Sequence, residues 1–290
     1  MARAFLITPL PADSADTDFE ARLRPILPEE RVLSIHDAGA TRGDGVFETV
    51  GMTAGIVRKA EAHVERLAAS AAKMDLPAPH PGQWLNAIER VARELPDTGA
   101  AVIRLVITRG LPDAGPTCWI VGQPSPAHVS ERVDGVRVVL LDRGWPININ
   151  SRAPWMLAGA KTLSYAPNMA ALREARRRGA DDVIFTSLEG FAMEGPTSSL
   201  IVRIGDTFVT PAADDGILPG TTQQELFAWL RAQGRQTASR RVLADEVRSA
   251  DAAWLVSSVR LVVPVTAIDG ASTHVDADLT ARMNEALLAG

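Results

Sequence analysis

Apolar residues along the chain change their spacing several times, and each change marks an element. Residues 4–8 are a short apolar run that predicts a strand, and residues 45–57 predict two strands around a turn at Thr53, Ala54 and Gly55. Over 59–74 the spacing becomes helical, with Val64, Leu67, Ala68, Ala71 and Met74 on one face. A second helix is predicted over 83–95, where Trp84, Leu85, Ile88, Val91 and Ala92 are apolar, and strands over 101–108 and 117–121 follow. The stretch from Gly122 to His128 is rich in proline and polar residues and reads as a linker. Beyond it, 136–141 is a strongly apolar strand, and a loop through Pro146, Asn148 and Asn150 leads to Lys161. A helix over 167–178 ends at Gly179, a C′ glycine preceded by three arginines. A strand over 182–186, a hairpin of 199–203 with 207–210 around Gly205 and Asp206, a helix starting near Thr222, a strand over 253–257 and a last helix over 278–288 complete the pattern. No segment repeats. The hairpins argue against strict βαβ alternation, so the expected class is α+β: a small α/β domain over 1–122, a linker over 123–134, and a larger domain over 135–290 with mixed or antiparallel sheets.

Composition narrows the functional classes. The 290 residues are 46% apolar, 22% charged and 5% aromatic, an ordinary globular balance that excludes disorder, collagen and coiled coil as whole-chain descriptions. A net charge of −5 offers no general attraction to nucleic acid or to an anionic membrane. No segment approaches membrane-spanning length and the N-terminal apolar stretch is too short for a signal peptide, so the cytoplasm is the expected address. Cys118 is the single cysteine, which excludes an internal disulfide, and its apolar neighbours read as core. One thiol and five scattered histidines argue against structural zinc, and no metal is expected. Lysine occurs only at Lys59, Lys73 and Lys161, so amine chemistry has three candidates.

Several familiar patterns fail. Gly159-Ala160-Lys161-Thr162 lacks the glycines of a phosphate loop, Gly43-Asp44-Gly45 lacks the third glycine of a dinucleotide fingerprint, and neither H-E-x-x-H nor G-x-S-x-G occurs. Three others hold together. Pro219-Gly220 turns into a helix at Thr221 and Thr222, with Glu225 and Gln224 placed to complete capping boxes; this is either an ordinary capped helix or an anion site whose glycine permits close approach. Glu194 lies between an apolar stretch and a run of small residues, where a carboxylate is either a loop charge in water or a buried anion needing a partner. Lys161 sits among small and apolar residues; it is either a surface lysine or one whose partial burial frees the amine for imine chemistry, with Tyr165, the only tyrosine, close by. An amine, a carboxylate and a phosphate cradle are what pyridoxal phosphate requires.

The ordered set resembles the fold-type IV pyridoxal-phosphate enzymes, a family that includes branched-chain and D-amino-acid aminotransferases and 4-amino-4-deoxychorismate lyases. The resemblance runs from Arg42 to Thr49, through His63 to Leu67, Lys161, Glu194 and Leu218 to Thr222, to Ser257 to Val265. It implies a two-domain fold, pyridoxal 5'-phosphate as cofactor and a homodimer. It also implies that Lys161 forms the imine and shuttles protons, that Glu194 pairs with the pyridine nitrogen, that Tyr165 contacts the phenolic oxygen, that Leu218 packs on the ring, and that Arg66, Gly220, Thr221, Thr222 and Ser258 hold the phosphate. Helical spacing places Arg66 off the apolar stripe, where an arginine is ordinarily solvated; the resemblance assigns it to the phosphate instead.

The tail motif separates the activities. Family aminotransferases often carry a pattern like T-A-A-E-V-T-P; here Leu261 falls where that glutamate would be. The stretch from Ser257 to Pro264 is more similar to the lyase pattern N-S-L-R-G-V-V-P, departing from it at Ser257 and Leu261. The resemblance therefore implies a 4-amino-4-deoxychorismate lyase that eliminates pyruvate to leave 4-aminobenzoate for folate synthesis, with a branched-chain or D-amino-acid aminotransferase as the alternative. The substrate would be a small amine bearing carboxylates, faced by Arg260. Arg104 and Arg109 are further candidates; strand alternation puts them on opposite faces, so at most one of them faces substrate, and the other reading of each is a surface charge.

Overall fold

The structure, a computed structural model, describes residues 2–27 and 29–289; Met1, Pro28 and Gly290, which the expected domain ranges include, lie outside the described residues. The fold is α+β. The chain divides into two compact units, Met1–Ala127 with Ala160–Tyr165 and His128–Gly159 with Ala166–Gly290.

The first unit contains β1 (Arg3–Ile7), β2 (Leu23–Ile26), α1 (Ala38–Arg42), β3 (Gly45–Thr53), β4 (Ile56–Val57), α2 (Ala60–Lys73), α3 (Pro81–Glu94), β5 (Ala100–Leu111) and β6 (Gly115–Ser125). Among the described residues these strands form one antiparallel sheet in the order β2-β1-β6-β5-β3-β4. Alternation along β3 buries Val46, Glu48, Val50 and Met52 and leaves Phe47 and Thr49 half-buried on the other face. Helix α2 buries the expected Val64, Leu67 and Ala71, and with them His63 and Ser70. Helix α3 starts with Pro81 behind His80, whose ring Nδ1 accepts the Gln83 N–H at 3.2 Å, and it buries Trp84, Ile88 and Val91. Each such fully buried side chain contributes about 1.5–3 kcal/mol.

Two boundaries differ from the expectation. The stretch 123–134 is not a linker: β6 continues through Ser125, and α4 (Val129–Asp134) begins soon after it. Pro124 lies beyond Gly122, the last β6 residue that pairs with β1 among the described residues, at the end of the strand where a proline is tolerated. The second difference is that Ala160–Tyr165 belongs with the first unit. The Phe47 N–H donates to the Lys161 carbonyl at 3.0 Å and the Leu163 N–H to the Gly45 carbonyl at 2.8 Å, which adds a short backbone ladder to the start of β3.

The second unit continues with β7 (Val136–Asp142), α5 (Ile149–Arg152), α6 (Ala166–Arg177), β8 (Asp182–Thr186), β9 (Phe191–Ala192), β10 (Ser199–Ile204), β11 (Thr207–Thr210), α7 (Thr221–Ala232), β12 (Gln236–Ser239), β13 (Val242–Leu243), α8 (Ala244–Arg248), β14 (Ala252–Ser257), β15 (Leu261–Ile268), β16 (Ala271–Ser272) and α9 (Ala277–Ala289). Among the described residues its sheet runs β12-β11-β10-β14-β15-β7-β8-β9-β13, with β16 beside β15. Pairing is mixed: β15 with β7, β7 with β8, and β11 with β12 are parallel, and the other pairs are antiparallel. Apolar clusters cover both faces. Val138, Ile184, Leu200, Leu255 and Val263 form one, and Ile201, Phe208, Leu226, Trp254 and Met283 another under α7 and α9. The Trp254 indole N–H donates to Thr280 Oγ1 at 2.8 Å, so the large ring is buried without an orphaned donor. Helix α6 ends at Gly179, whose φ of +75° suits the left-handed closing turn.

Candidate active site

In the first unit the candidate chemistry gathers around Lys161. Lys59 and Lys73 are exposed and Lys161 is half-buried. The Lys161 N–H donates to Ser70 Oγ at 3.2 Å, and its carbonyl accepts from Phe47. Its Nζ lies 4.5 Å from the centroid of the Phe47 ring and 5.4 Å from that of Tyr165, and the two rings meet edge to face. The backbone of the lysine is fixed on both sides, and its amine rests on aromatic faces that limit water around it.

Arg66 is paired within its own unit. Its Nε donates to Glu48 Oε1 at 2.6 Å and its Nη2 to Glu48 Oε2 at 2.9 Å. His63 Nδ1 lies 2.7 Å from the same Oε2, and Glu48 is fully buried. Burial alone would raise the Glu48 carboxyl, but the Arg66 charge and the hydrogen bonds from Arg66 and His63 outweigh it and hold the carboxyl down to about 2. The carboxylate is therefore ionised, and His63 Nδ1 carries the proton that it donates. The helical spacing that predicted a solvated Arg66 is corrected: two of its donors serve a buried carboxylate of its own unit.

The two strand arginines also part. Arg109 donates to Asp44 Oδ2 at 2.8 Å, to the Met74 carbonyl at 2.6 Å and to the Asp75 carbonyl at 3.3 Å, and the Asp44 bond raises its pKa. It staples the end of β5 to the end of α2. The Arg104 side chain is exposed and makes no hydrogen bond or ion pair among the described residues. It stands opposite Thr49 in the β3–β5 register, so it shares the face of β3 that presents Phe47.

In the second unit Glu194 is half-buried at the end of the β8–β9 ladder, its carbonyl accepting from Phe185 at 3.0 Å. Its Oε2 accepts the Leu218 N–H at 3.3 Å, which joins two residues that the resemblance assigned to one ring. Four residues on, Ser198 Oγ is buried without a hydrogen-bond partner among the described residues. Helix α7 starts at Thr221 and its N-cap is Gly220, with no side-chain cap. The two threonines expected to cap the helix are thus its first two helical residues. Instead Thr221 Oγ1 and Thr222 Oγ1 lie 3.3 and 3.2 Å from Ser258 Oγ, so three hydroxyls meet at the start of a twelve-residue helix. A side chain at Gly220 would collide with Ser199 Oγ, which is why glycine stands there.

Arg260, expected at the substrate, is paired with carboxylates of its own unit. Its Nη2 donates to Asp182 Oδ2 at 2.6 Å and its Nη1 to Glu131 Oε2 at 3.3 Å, and Glu131 in turn lies 2.6 Å from His128 Nδ1. Burial would lower the Arg260 pKa, but Asp182 and Glu131 outweigh it and raise it. Sequence reasoning assigned no role to Glu48, Asp182 or Phe47. Glu48 had a signal, a carboxylate on the apolar side of an alternating strand; Asp182, at the first position of an apolar strand, had a weaker one.

These groups fit pyridoxal phosphate by the chemistry of the donor set. The helix start with three hydroxyls suits a dianionic phosphate, Glu194 suits a protonated ring nitrogen, Lys161 suits an imine, and the orphaned Ser198 hydroxyl lies in the loop that carries Glu194.

A family model described as amino-transferase class IV matches residues 45–268. A bifunctional aminodeoxychorismate lyase / D-amino acid transaminase of Mycobacterium tuberculosis is 41% identical over 261 residues, covering 86% of this chain and 89% of that protein. Among solved structures, a fold IV-transaminase from Curtobacterium pusillum is similar with a TM-score of 0.95 and 43% identity over 100% of both chains. The PLP-bound form of a hypothetical aminotransferase from M. tuberculosis is similar with a TM-score of 0.89 and 36% identity over 98% of both.

Proposed function

The chain belongs to the class IV aminotransferase family, and from that premise we propose that it is a pyridoxal 5'-phosphate enzyme that moves an amino group from a small amino acid, with D-amino acids in the first rank, to a 2-keto acid. The observation that carries the reading is the placement of Lys161, with its backbone pinned by Phe47 and Ser70 and its Nζ against the Phe47 ring.

When bound, the cofactor supplies a carbonyl that condenses with amines and a ring that accepts electron density. Lys161 would hold the cofactor through its Nζ, and the same amine would be the base that takes the proton from the substrate α-carbon and returns one. Phe47 and Tyr165 keep water from that nitrogen. Glu194 holds the proton on the pyridine nitrogen, a role for which an ionised carboxylate is needed. Thr221, Thr222 and Ser258, with the N–H groups at the start of α7, hold the phosphate. Arg104, on the face shared with Phe47, is the arginine offered to the substrate carboxylate.

Elimination of pyruvate from 4-amino-4-deoxychorismate is the second reading. It is favoured by the bifunctional relative and by the stretch from Ser257 to Pro264. Against it, Arg260, the residue that a dicarboxylate would have engaged, is committed to Asp182 and Glu131. A panel read by product separates them. Incubation with D- or L-amino acids and a 2-keto acid should yield the new amino acid, and chorismate, glutamine and the partner synthase should yield 4-aminobenzoate with pyruvate only if the lyase reading holds. Lys161→Ala should abolish whichever activity is found. Failure to transfer an amino group from any donor ends the first reading.

A further inference from the structure

The turn between β14 and β15 carries Ser258, and its backbone is not relaxed. Leu261, at the position where the lyase pattern carries glycine, has φ +63° and is buried at 1% exposure. A branched residue in the left-handed region persists only where the surroundings over-determine it. Part of that determination is apolar, since Leu261 belongs to the buried cluster under α7 and α9. The rest is ionic. The Arg260 N–H donates to Ser257 Oγ at 3.4 Å, and its guanidinium reaches Asp182 at the start of β8 and Glu131 on α4. Asp182 is itself fixed, its Oδ1 accepting the Val183 N–H at 2.8 Å. Two residues from Ser258, the turn is therefore tied to two other elements by a buried guanidinium.

We propose that Asp182, Arg260 and Glu131 form a clamp that holds the strained turn so that the Ser258 hydroxyl stays with Thr221 and Thr222 in the phosphate cradle, which makes Arg260 and Asp182 positioning residues for the cofactor phosphate. The proposal rests on the reading of those three hydroxyls as the phosphate site. It assigns to Arg260 a role toward the cofactor's anion exerted through the backbone and without contact.

The test compares two probes on the full-length protein stripped of cofactor and reloaded: pyridoxal 5'-phosphate and pyridoxal, which lacks the phosphate. Binding is followed by absorbance and protein fluorescence, not by turnover. Asp182→Asn and Arg260→Lys should weaken pyridoxal 5'-phosphate about tenfold or more while changing pyridoxal less than about twofold. Glu131→Gln, at a side chain 33% exposed, keeps the fold and should show the same selective loss at about two- to threefold. Equal losses for both probes, or variants that keep the wild-type preference for the phosphorylated probe, overturn the clamp alone. A wild-type protein that binds both probes equally overturns the phosphate reading and the clamp together.

Discussion

Two half-buried arginines, one in each unit, were both assigned to ligands, and both are held by carboxylates of the protein itself. They are held differently. Arg66 makes a two-point contact with a single carboxylate, Glu48, that has no exposed surface and takes a further hydrogen bond from His63. Arg260 divides its charge between Asp182, which is buried, and Glu131, which is a third exposed. In the first the carboxylate itself is closed to water, so Glu48 cannot be hydrated where it stands if Arg66 is lost. The second has an open side, and loss of one carboxylate leaves the guanidinium another. The difference implies that the Glu48 cluster chiefly decides whether the first unit folds, whereas the Arg260 cluster can be adjusted without unfolding the second.

Breaking the closed pair gives the largest expected effect. Glu48→Ala removes the buried anion that Arg66 and His63 share and should lower unfolding free energy by about 3–5 kcal/mol, measured by urea titration. The same measurement on Glu131→Ala should fall below about 1 kcal/mol, because that partner is wet. Equal losses at the two positions would remove the distinction between a closed and an open cluster.

Acid sharpens the same contrast. The Glu48 carboxyl stands near 4.5 when unfolded and is held down to about 2 in the fold. A depressed carboxyl stabilises the fold fully above its unfolded pKa, and the contribution is lost as pH falls from about 4.5 toward 2. Its size is about 3 kcal/mol. Urea midpoints followed down that range should fall more steeply for the wild type than for Glu48→Gln, which has no proton to take up there. Parallel curves would mean that the carboxylate is not the group on which acid acts.

What could be read beforehand follows the range of the interactions. Helices α2 and α3, the β10–β11 hairpin, Lys161 and the pair Thr221-Thr222 are visible in the sequence because periodicity, turn chemistry and residue type act over a few positions. The partners of Arg260 lie 78 and 129 residues away along the chain, and those of Arg66 lie on a different element, so no local pattern discloses that these charges are occupied. The proline-rich stretch misleads for a related reason. Pro124 lies beyond Gly122, where pairing with β1 ends among the described residues, and how far β1 extends is a property of the sheet. The two threonines expected to cap α7 are its first two helical residues, and hydroxyls free to cap a helix are equally free to turn to Ser258. In each case residue type indicates what a group can do, and tertiary placement decides which of its options is used.

Arg104 completes the comparison as an arginine without a carboxylate. It is exposed on β5, opposite Thr49, on the face that presents Phe47 to Lys161. Since no buried anion depends on it, Arg104→Met should change stability by less than about 0.5 kcal/mol, the smallest effect of the series. Its effect on substrate should be larger than its effect on folding. Removing a charge-assisted pair to a substrate carboxylate should raise KM for amino acids by about tenfold to a hundredfold while leaving KM for a simple primary amine unchanged. Steady-state rates with matched amino acid and amine donors read both at once. An unchanged KM for the amino acid would return Arg104 to the surface charges and require that the substrate carboxylate be met by another group.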